Sequence, residues 1–144
     1  MKIIYSMVVV AIYWAPVQAA AVEDVSDNVY WGRVTDVYDG DSLTAEIALW
    51  PGQIVEAKVR IRDVDAPEIR GKCAEEKRIA LNARDYLKQI VLGQKIMIAA
   101  VEREKYGRIL AHVFQRGGER VSDLLRANGL ARYYSGGQRP SWCR

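Results

Sequence analysis

Three strand-like segments in succession, separated only by tight turns, constrain the fold of this chain more than any other feature. The segments "VYWGRVTDVYDG" and "DSLTAEIALW" meet at Asp39-Gly40, and "QIVEAKVRIRDV" follows the turn at Pro51-Gly52. Asp-Gly pairs favour tight turns because both residues tolerate positive backbone φ angles. The pattern therefore predicts a β-hairpin that is followed by a third strand.

The third strand alternates between apolar and charged side chains. Its apolar positions are expected to face the core: Val55, Ala57, Val59 and Ile61. Its opposite face is charged: Glu56, Lys58, Arg60 and Arg62. A period of two is typical of a half-buried strand. Pro67 ends the strand and favours an extended conformation at Ala66, because the helical region clashes with the proline ring.

The rest of the chain predicts a helix, a second hairpin and another helix. From Ala74 to Leu92 apolar residues recur at helical spacing, and Gly93 follows as a helix stop. The charged residues of this helix, Glu75 and Glu76 among them, are expected to form a solvated face. "QKIMIAAV" and "RILAHVF" flank "EREKYG" as a hairpin, and "VSDLLRANGL" predicts a short helix. This order favours a mixed β-barrel with flanking α-helices, such as a five-stranded OB-fold, over a doubly wound sheet.

The first residues have the order of charge, apolar run and small residues that is typical of a secretory signal peptide. Lys2 precedes "IIYSMVVVAIYW", and "APVQAAAVED" offers cleavage after Ala19 or Ala21. The apolar run is far shorter than the roughly 20 residues of a membrane span. We therefore predict a signal peptide at residues 1–21 and one domain at residues 22–144, exported to the periplasm or secreted. The alternative is an uncleaved membrane anchor; after cleavage, no stable membrane insertion is expected.

Composition favours one soluble domain but does not identify its partner. Half of the 144 residues are hydrophobic, which excludes a disordered chain, and the 123 residues left after Ala21 can form one modest core. Without Lys2 the chain has 20 basic and 18 acidic side chains. This excess is too small to indicate nucleic acid by itself, so the argument depends on where the arginines lie. No strong dimer seam is evident, and a monomer is expected.

Two cysteines, Cys73 and Cys143, would enter an oxidising compartment if the chain is exported. We interpret them as a disulfide, which would stabilise a small domain by restricting its unfolded chain. The alternative is two separate buried thiols. A zinc site is a weaker interpretation, because two cysteines and the lone His112 cannot complete four ligands.

Two acidic turns are the candidate metal site. "YDGDS" contains Asp39 and Asp41, and "DVDAPE" contains Asp65 and Glu68. Either turn alone is usually an ordinary solvated loop. Together they could bind a hard divalent cation such as calcium, which takes several carboxylate, carbonyl and water oxygens.

Arginines accompany both turns. Arg60 precedes Asp65 by five residues, and Arg108 follows the glycine of "EKYGR". The simpler interpretation is that these arginines form ion pairs with acidic residues on the protein surface. A cation beside guanidinium groups, with a spare carboxylate nearby, is however the set of groups that a phosphodiester requires: charge neutralisation, bidentate phosphate contacts and a group that orients water.

The motifs "VYDGDSL", "VRIRDVDAPE", "EKYGR" and "NGLARYY" occur in an order and at spacings that resemble the staphylococcal nuclease (thermonuclease) family. The resemblance covers Val29 to Tyr134, nearly all of the predicted mature chain. It implies an OB-fold barrel and a calcium-dependent nuclease that acts on DNA and RNA. It also implies in-line attack of water on phosphorus and products that carry 3′-phosphates.

The resemblance assigns roles residue by residue. Asp41 and Asp65 match the metal carboxylates, and Ala66 matches the position whose carbonyl binds calcium. Arg60 and Arg108 match the phosphate-binding arginines.

Further matches concern the attacking water and the substrate. Glu68 matches the carboxylate near the attacking water, as general base or as water-positioning group. The expected substrate-binding positions, including one that helps to shape the site, are Asp39, Lys105, Tyr106, Tyr133 and Tyr134.

Three departures from the family pattern stand out. Ala66 replaces a common threonine, which a backbone ligand tolerates, and "IRGKCAEEK" is shorter than the mobile loop of the archetype. The two cysteines suggest an exported branch whose tail is held near the site, where Trp142 packs on the core or stacks on a base.

A non-catalytic OB module that binds single-stranded nucleic acid is the main alternative function, but binding alone would not require carboxylates that repel phosphate. A calcium-stabilised envelope domain is a second alternative, which leaves the arginines unexplained.

Overall fold

A computed structural model describes residues 29–143 of the chain. The predicted signal peptide, residues 1–21, lies outside the described residues and stays a prediction. In order along the chain, the elements are β1 (Tyr30–Asp39), β2 (Ser42–Trp50), β3 (Gln53–Ile61), β4 (Val64–Asp65), α1 (Ala74–Val91), β5 (Lys95–Arg103), a 3₁₀ turn (Lys105–Gly107), β6 (Ile109–Phe114), α2 (Val121–Ala127) and β7 (Arg132–Tyr133).

Five of the strands form a closed barrel in the order β1-β2-β3-β6-β5. Neighbouring strands are antiparallel except β3 and β6, which pair in parallel between Val59–Ile61 and Ile109–Ala111. The short strands β4 and β7 pair beside the barrel. A closed five-stranded mixed barrel with two helices confirms the predicted OB-like fold.

The β1–β2 turn requires a glycine at position 40, because a larger residue would have no space for its side chain. Gly40 does not have the positive φ that the Asp-Gly pair suggested. A Cβ at Gly40 would lie 2.6 Å from the Cβ of Ala83 in α1 and 2.8 Å from the Cβ of Ala66. The missing side chain therefore allows the turn to pack directly against the helix and against the chain after β4.

The apolar side chains of β3 that were predicted to face the core are buried only near the end of the strand. Val59 and Ile61 are fully buried, whereas Val55 is 44% exposed. Only the end of β3 pairs with β6, so the start of the strand extends with β2 beyond the covered part of the barrel. Arg60 is also buried, although its position alternates with the core residues. The barrel end that carries Arg60 is thus closed on both faces of the strand.

The helix α1 begins and ends where its local sequence predicts. The Sγ of Cys73 accepts the N–H of Glu76 as a cap, and Gly93 follows the helix with a φ of +71°. Its buried apolar residues, Ala80, Ala83, Leu87 and Val91, pack toward the barrel core. Within residues 29–143, no helix is both long enough and apolar enough to cross a membrane.

Candidate active site

The two acidic turns lie together at one end of the barrel. Asp41 follows β1 and Asp65 ends β4. Both residues are buried, with exposed fractions of 3% and 2%. The N–H of Ala66 donates to Oδ2 of Asp41 at 3.0 Å, which ties one turn to the other. Gly40 permits this contact by its close approach to Ala66. The predicted metal residues are therefore brought together by backbone geometry.

A buried ion pair joins Asp41 to β3. Arg60 donates from Nη1 to Oδ1 of Asp41 at 2.6 Å and from Nη2 to the carbonyl of Val64 at 3.3 Å. Burial raises the pKa of Asp41 to about 7, although Arg60 works in the opposite direction. Because burial disfavours the charged form of Asp41, a further positive charge beside its carboxylate would stabilise that form, and a bound cation can provide this charge.

Asp65 receives its partners from the C-terminal segment of the described chain. Its Oδ2 accepts the indole N–H of Trp142 at 3.2 Å. Its buried Oδ1 lies 3.1 Å from Nε of Arg139, an ion pair that lacks hydrogen-bond geometry. Arg139 also donates from Nη1 to Oε1 of Glu68 at 2.8 Å. One guanidinium group thus bridges a predicted metal ligand and the predicted water-orienting acid.

These neighbours change the pKa of Arg139. Its partial burial favours a lower pKa, but the carboxylates of Asp65 and Glu68 outweigh burial, and the pKa is raised. Arg139 therefore carries its positive charge at neutral pH.

Glu76 shapes the loop that carries Glu68. It is only 8% exposed, and its carboxylate accepts the N–H of Lys72 at 2.9 Å and that of Glu68 at 3.4 Å. A Cβ at Gly71 would lie 2.4 Å from the carboxyl carbon of Glu76, so the loop wraps tightly around this group. The expectation of a solvated face is therefore wrong at Glu76. Its position three residues after Cys73 fits a capping arrangement, the sequence signal that could have identified it.

Arg108 and Glu68 line one cavity beside the barrel end. The other residues of this cavity that bear on chemistry are Asp39, Ser42 and Lys58. Arg108 lies just after the 3₁₀ turn, and its Nε is 2.9 Å from Oε2 of Glu104. The structure therefore places one predicted arginine and the predicted acid on a common surface that a ligand can reach.

The predicted substrate-binding residues lie in different surroundings. Tyr134 lines a second cavity together with Arg60 and Arg139. Lys105 and Tyr106 form the exposed 3₁₀ turn, where Tyr106 is 93% exposed and has a φ of +66°. Tyr133 is exposed and lies under the guanidinium group of Arg126. Tyr134 thus shares a cavity with the buried Arg60, whereas Lys105, Tyr106 and Tyr133 are exposed.

The disulfide between Cys73 and Cys143 is present, as predicted, with a Cα–Cα distance of 5.9 Å. The Sγ atoms and a carboxylate oxygen of Glu76 lie within 4.8 Å of one another, which makes them a possible metal-ligand group. The sulfur atoms are bonded to each other, however, and thiolates are needed for a sulfur-ligated metal. This group could bind a metal only after reduction.

Sequence reasoning predicted that the C-terminal segment is held near the site but missed the contacts that the segment makes there. Trp142 lies outside the core cluster; its indole N–H donates to Asp65, and the guanidinium carbon of Arg132 lies 3.7 Å from its ring centroid. Arg139 received no role, although it lies four residues before Cys143. The predicted disulfide was the available signal, since it returns this segment to the start of α1.

The structure thus gathers carboxylates and arginines at one end of an OB-like barrel. Residues 58–141 match the family described as "Staphylococcal nuclease homologue", and the chain belongs to this family. Members of this family are generally metal-dependent.

Relatives of this chain have nuclease names. It is 29% identical over 107 residues to an "Uncharacterized endonuclease" of Escherichia coli, a match that covers 72% of this chain and 60% of the relative. It is 31% identical over 117 residues to "Endonuclease YhcR" of Bacillus subtilis, which covers 76% of this chain and 9% of the relative. It is 30% identical over 125 residues to "Probable endonuclease LCL3" of Komagataella phaffii, which covers 72% of this chain and 55% of the relative. The chain spans 60% or less of the length of each of these relatives.

Proposed function

We propose that this protein is a calcium-dependent nuclease that hydrolyses phosphodiester bonds of DNA, RNA or both, cuts within the strand and leaves 3′-phosphate ends. The observation that carries the proposal is the meeting of two buried carboxylates, two arginines and Glu68 at one barrel end. Family membership and the names of the relatives support it. The active unit is the domain of residues 22–144, exported to the periplasm or outside the cell.

The residues at the barrel end fit calcium. The donor set consists of hard oxygen atoms from Asp41 and Asp65, with the carbonyl of Ala66 as a third candidate. Oδ1 of Asp65 is buried and makes no hydrogen bond, and a buried oxygen of this kind gains most from a cation. A bound calcium ion would supply positive charge for the phosphate oxygens and for the water that attacks phosphorus.

The arginines bind the scissile phosphate. Arg108 contacts the common cavity from the 3₁₀ turn, while Arg60 has donors beyond the two that bind Asp41 and Val64. Glu68 orients the attacking water or accepts its proton, and the 5′-oxygen leaves. Each preorganised charge that faces the developing negative phosphorus centre can lower the barrier by about 3 to 4 kcal/mol. We therefore expect Arg108→Ala to lose at least 100-fold in kcat.

A cleavage assay tests the proposal. The oxidised mature protein is incubated with single-stranded DNA, duplex DNA and RNA, in calcium or in chelator, beside Arg108→Ala. Arg78→Ala is the matched control, because Arg78 lies on the surface of α1 and pairs with Glu75. Cutting in calcium that is lost in chelator and in Arg108→Ala supports the nuclease. Binding without cutting by folded protein would refute it in favour of a non-catalytic OB module.

A further inference from the structure

We infer that Arg139 is a positioning residue of the active site, which holds Glu68 in its working orientation and weakens cation binding at Asp65. The inference rests on the proposed nuclease function and assigns a further role within that site. It depends on a segment that the family motifs in the sequence do not include, since those motifs end at Tyr134.

The contacts of Arg139 are specific. Its Nη1 donates to Glu68 at 2.8 Å, and its Nε lies 3.1 Å from the buried Oδ1 of Asp65. Glu68 is otherwise half-exposed, so its carboxylate has several accessible rotamers. A charge-assisted hydrogen bond from a fixed guanidinium group selects one of them. Lysine could not span both carboxylates in this way, because its ammonium group is a single point of charge.

The segment that carries Arg139 is itself fixed. The disulfide of Cys143 holds one end, and the hydroxyl of Tyr134 donates to the carbonyl of Gly137 at 2.7 Å. Arg132 donates to the carbonyl of Ser141 at 3.1 Å. These contacts hold the guanidinium group in place before any substrate arrives, which is the requirement for a positioning role.

The same guanidinium group must oppose the cation. A charge of +1 beside Oδ1 of Asp65 repels a divalent ion that binds this oxygen, and at separations near 5 Å the repulsion in a water-like dielectric corresponds to about tenfold in affinity. Arg139 therefore has opposite effects on two measurable quantities. Its removal should tighten metal binding and slow the reaction, a combination that a merely structural residue would not produce.

The experiment measures both quantities in the oxidised mature protein. Terbium, a luminescent substitute for calcium, reports metal affinity, because Trp142 donates to Asp65 and can sensitise the ion. Cleavage of a short DNA in calcium reports kcat and KM. The variants are Arg139→Gln, Arg139→Lys and the surface control Arg78→Ala, each checked for folding by circular dichroism.

For Arg139→Gln we expect terbium affinity to rise about 50-fold, since the repulsion grows with the triple charge of this ion, and kcat to fall about 10- to 100-fold. For Arg139→Lys we expect affinity near the wild-type value, since the charge is kept, and a similar fall in kcat, since the bridge is lost. In a Glu68→Gln background, the effect of Arg139→Lys on kcat should largely disappear, because the two residues act as one unit.

Two results would overturn the inference. In one, Arg139→Gln cuts as fast as wild type or faster; in the other, terbium affinity is unchanged in Arg139→Gln. Failure of the proposed function is a separate result: wild-type protein would bind terbium but cut no substrate. The two failures are therefore distinguishable in one set of measurements.

Discussion

The disulfide is expected to contribute about 4 kcal/mol to the free energy of unfolding. It links Cys73 to Cys143 across a sequence separation of 70, and the chain-entropy relation for a loop of this length gives roughly 4 kcal/mol at 25 °C. Replacing both cysteines by serine removes the bond but keeps the cap of α1, because a serine oxygen can accept the N–H of Glu76 in place of Sγ. For a domain of this size, the loss corresponds to a fall in Tm of roughly 15 °C.

Urea unfolding of the oxidised protein and of the double serine variant measures this difference. Far-UV circular dichroism reports the barrel and helices, and the tryptophan fluorescence that is lost in a Trp142→Phe version of each protein reports release of the C-terminal segment. Reduced wild-type protein is the control, and it should resemble the double variant. A difference below about 1 kcal/mol, at equal m-values, would refute the reasoning that the bond stabilises by restricting the unfolded chain.

Three further predictions follow from individual contacts. Burial and, next, the charge of Arg120 lower the pKa of His112 below 6.5. The unfolded chain therefore binds a proton more readily than the folded chain. The contribution of His112 to the free energy of unfolding is fully present above pH 6.5 and is lost as the pH falls through the lower pKa of the folded state. NMR titration of this single histidine should show that Arg120→Ala raises its pKa, and a wild-type pKa at or above 6.5 would contradict the cause assigned. Gly40→Ala should cost about 1 to 3 kcal/mol in urea unfolding, because its Cβ meets two buried alanines; an unaltered midpoint would show that the turn can move. Glu76→Ala should cost about 2 kcal/mol and also reduce the proposed cleavage, because two loop N–H groups lose their acceptor. Full activity in this variant would exclude a role for the loop in placing Glu68.

The fold was predictable because its signals are local. The strand patterns and the helix stop at Gly93 each depend on neighbouring residues, and together they predict the barrel strands and the helix α1. Family motifs identified most residues at the barrel end in the same way. The pairing of Arg60 with Asp41 was not read from the sequence, because the alternation of β3 assigns Arg60 to the charged face.

The rest of the site depends on distances that no local pattern encodes. The steric need for Gly40 comes from Ala83, which is 43 residues away in the sequence. Burial of Glu76 depends on how the loop after β4 folds back over α1. The bridge made by Arg139 joins residues 71 apart in the sequence, and it becomes visible only when the disulfide-linked segment is placed.

The parallel pairing of β3 with β6 has a consequence for the order of folding. Val59 pairs with Ile109 and Arg60 with Leu110, so this single junction sets the separation between Arg60 and the residue just before β6, Arg108. Pairing of strands so distant in sequence carries a large loop-closure cost and is slow to form. A chain that has made its hairpins but not this junction would not yet bring together Arg60 and Arg108, the proposed phosphate-binding pair. In refolding experiments, the proposed cleavage should therefore return no earlier than the pairing of β3 with β6, and the time of its return would report when this long-range pairing has formed.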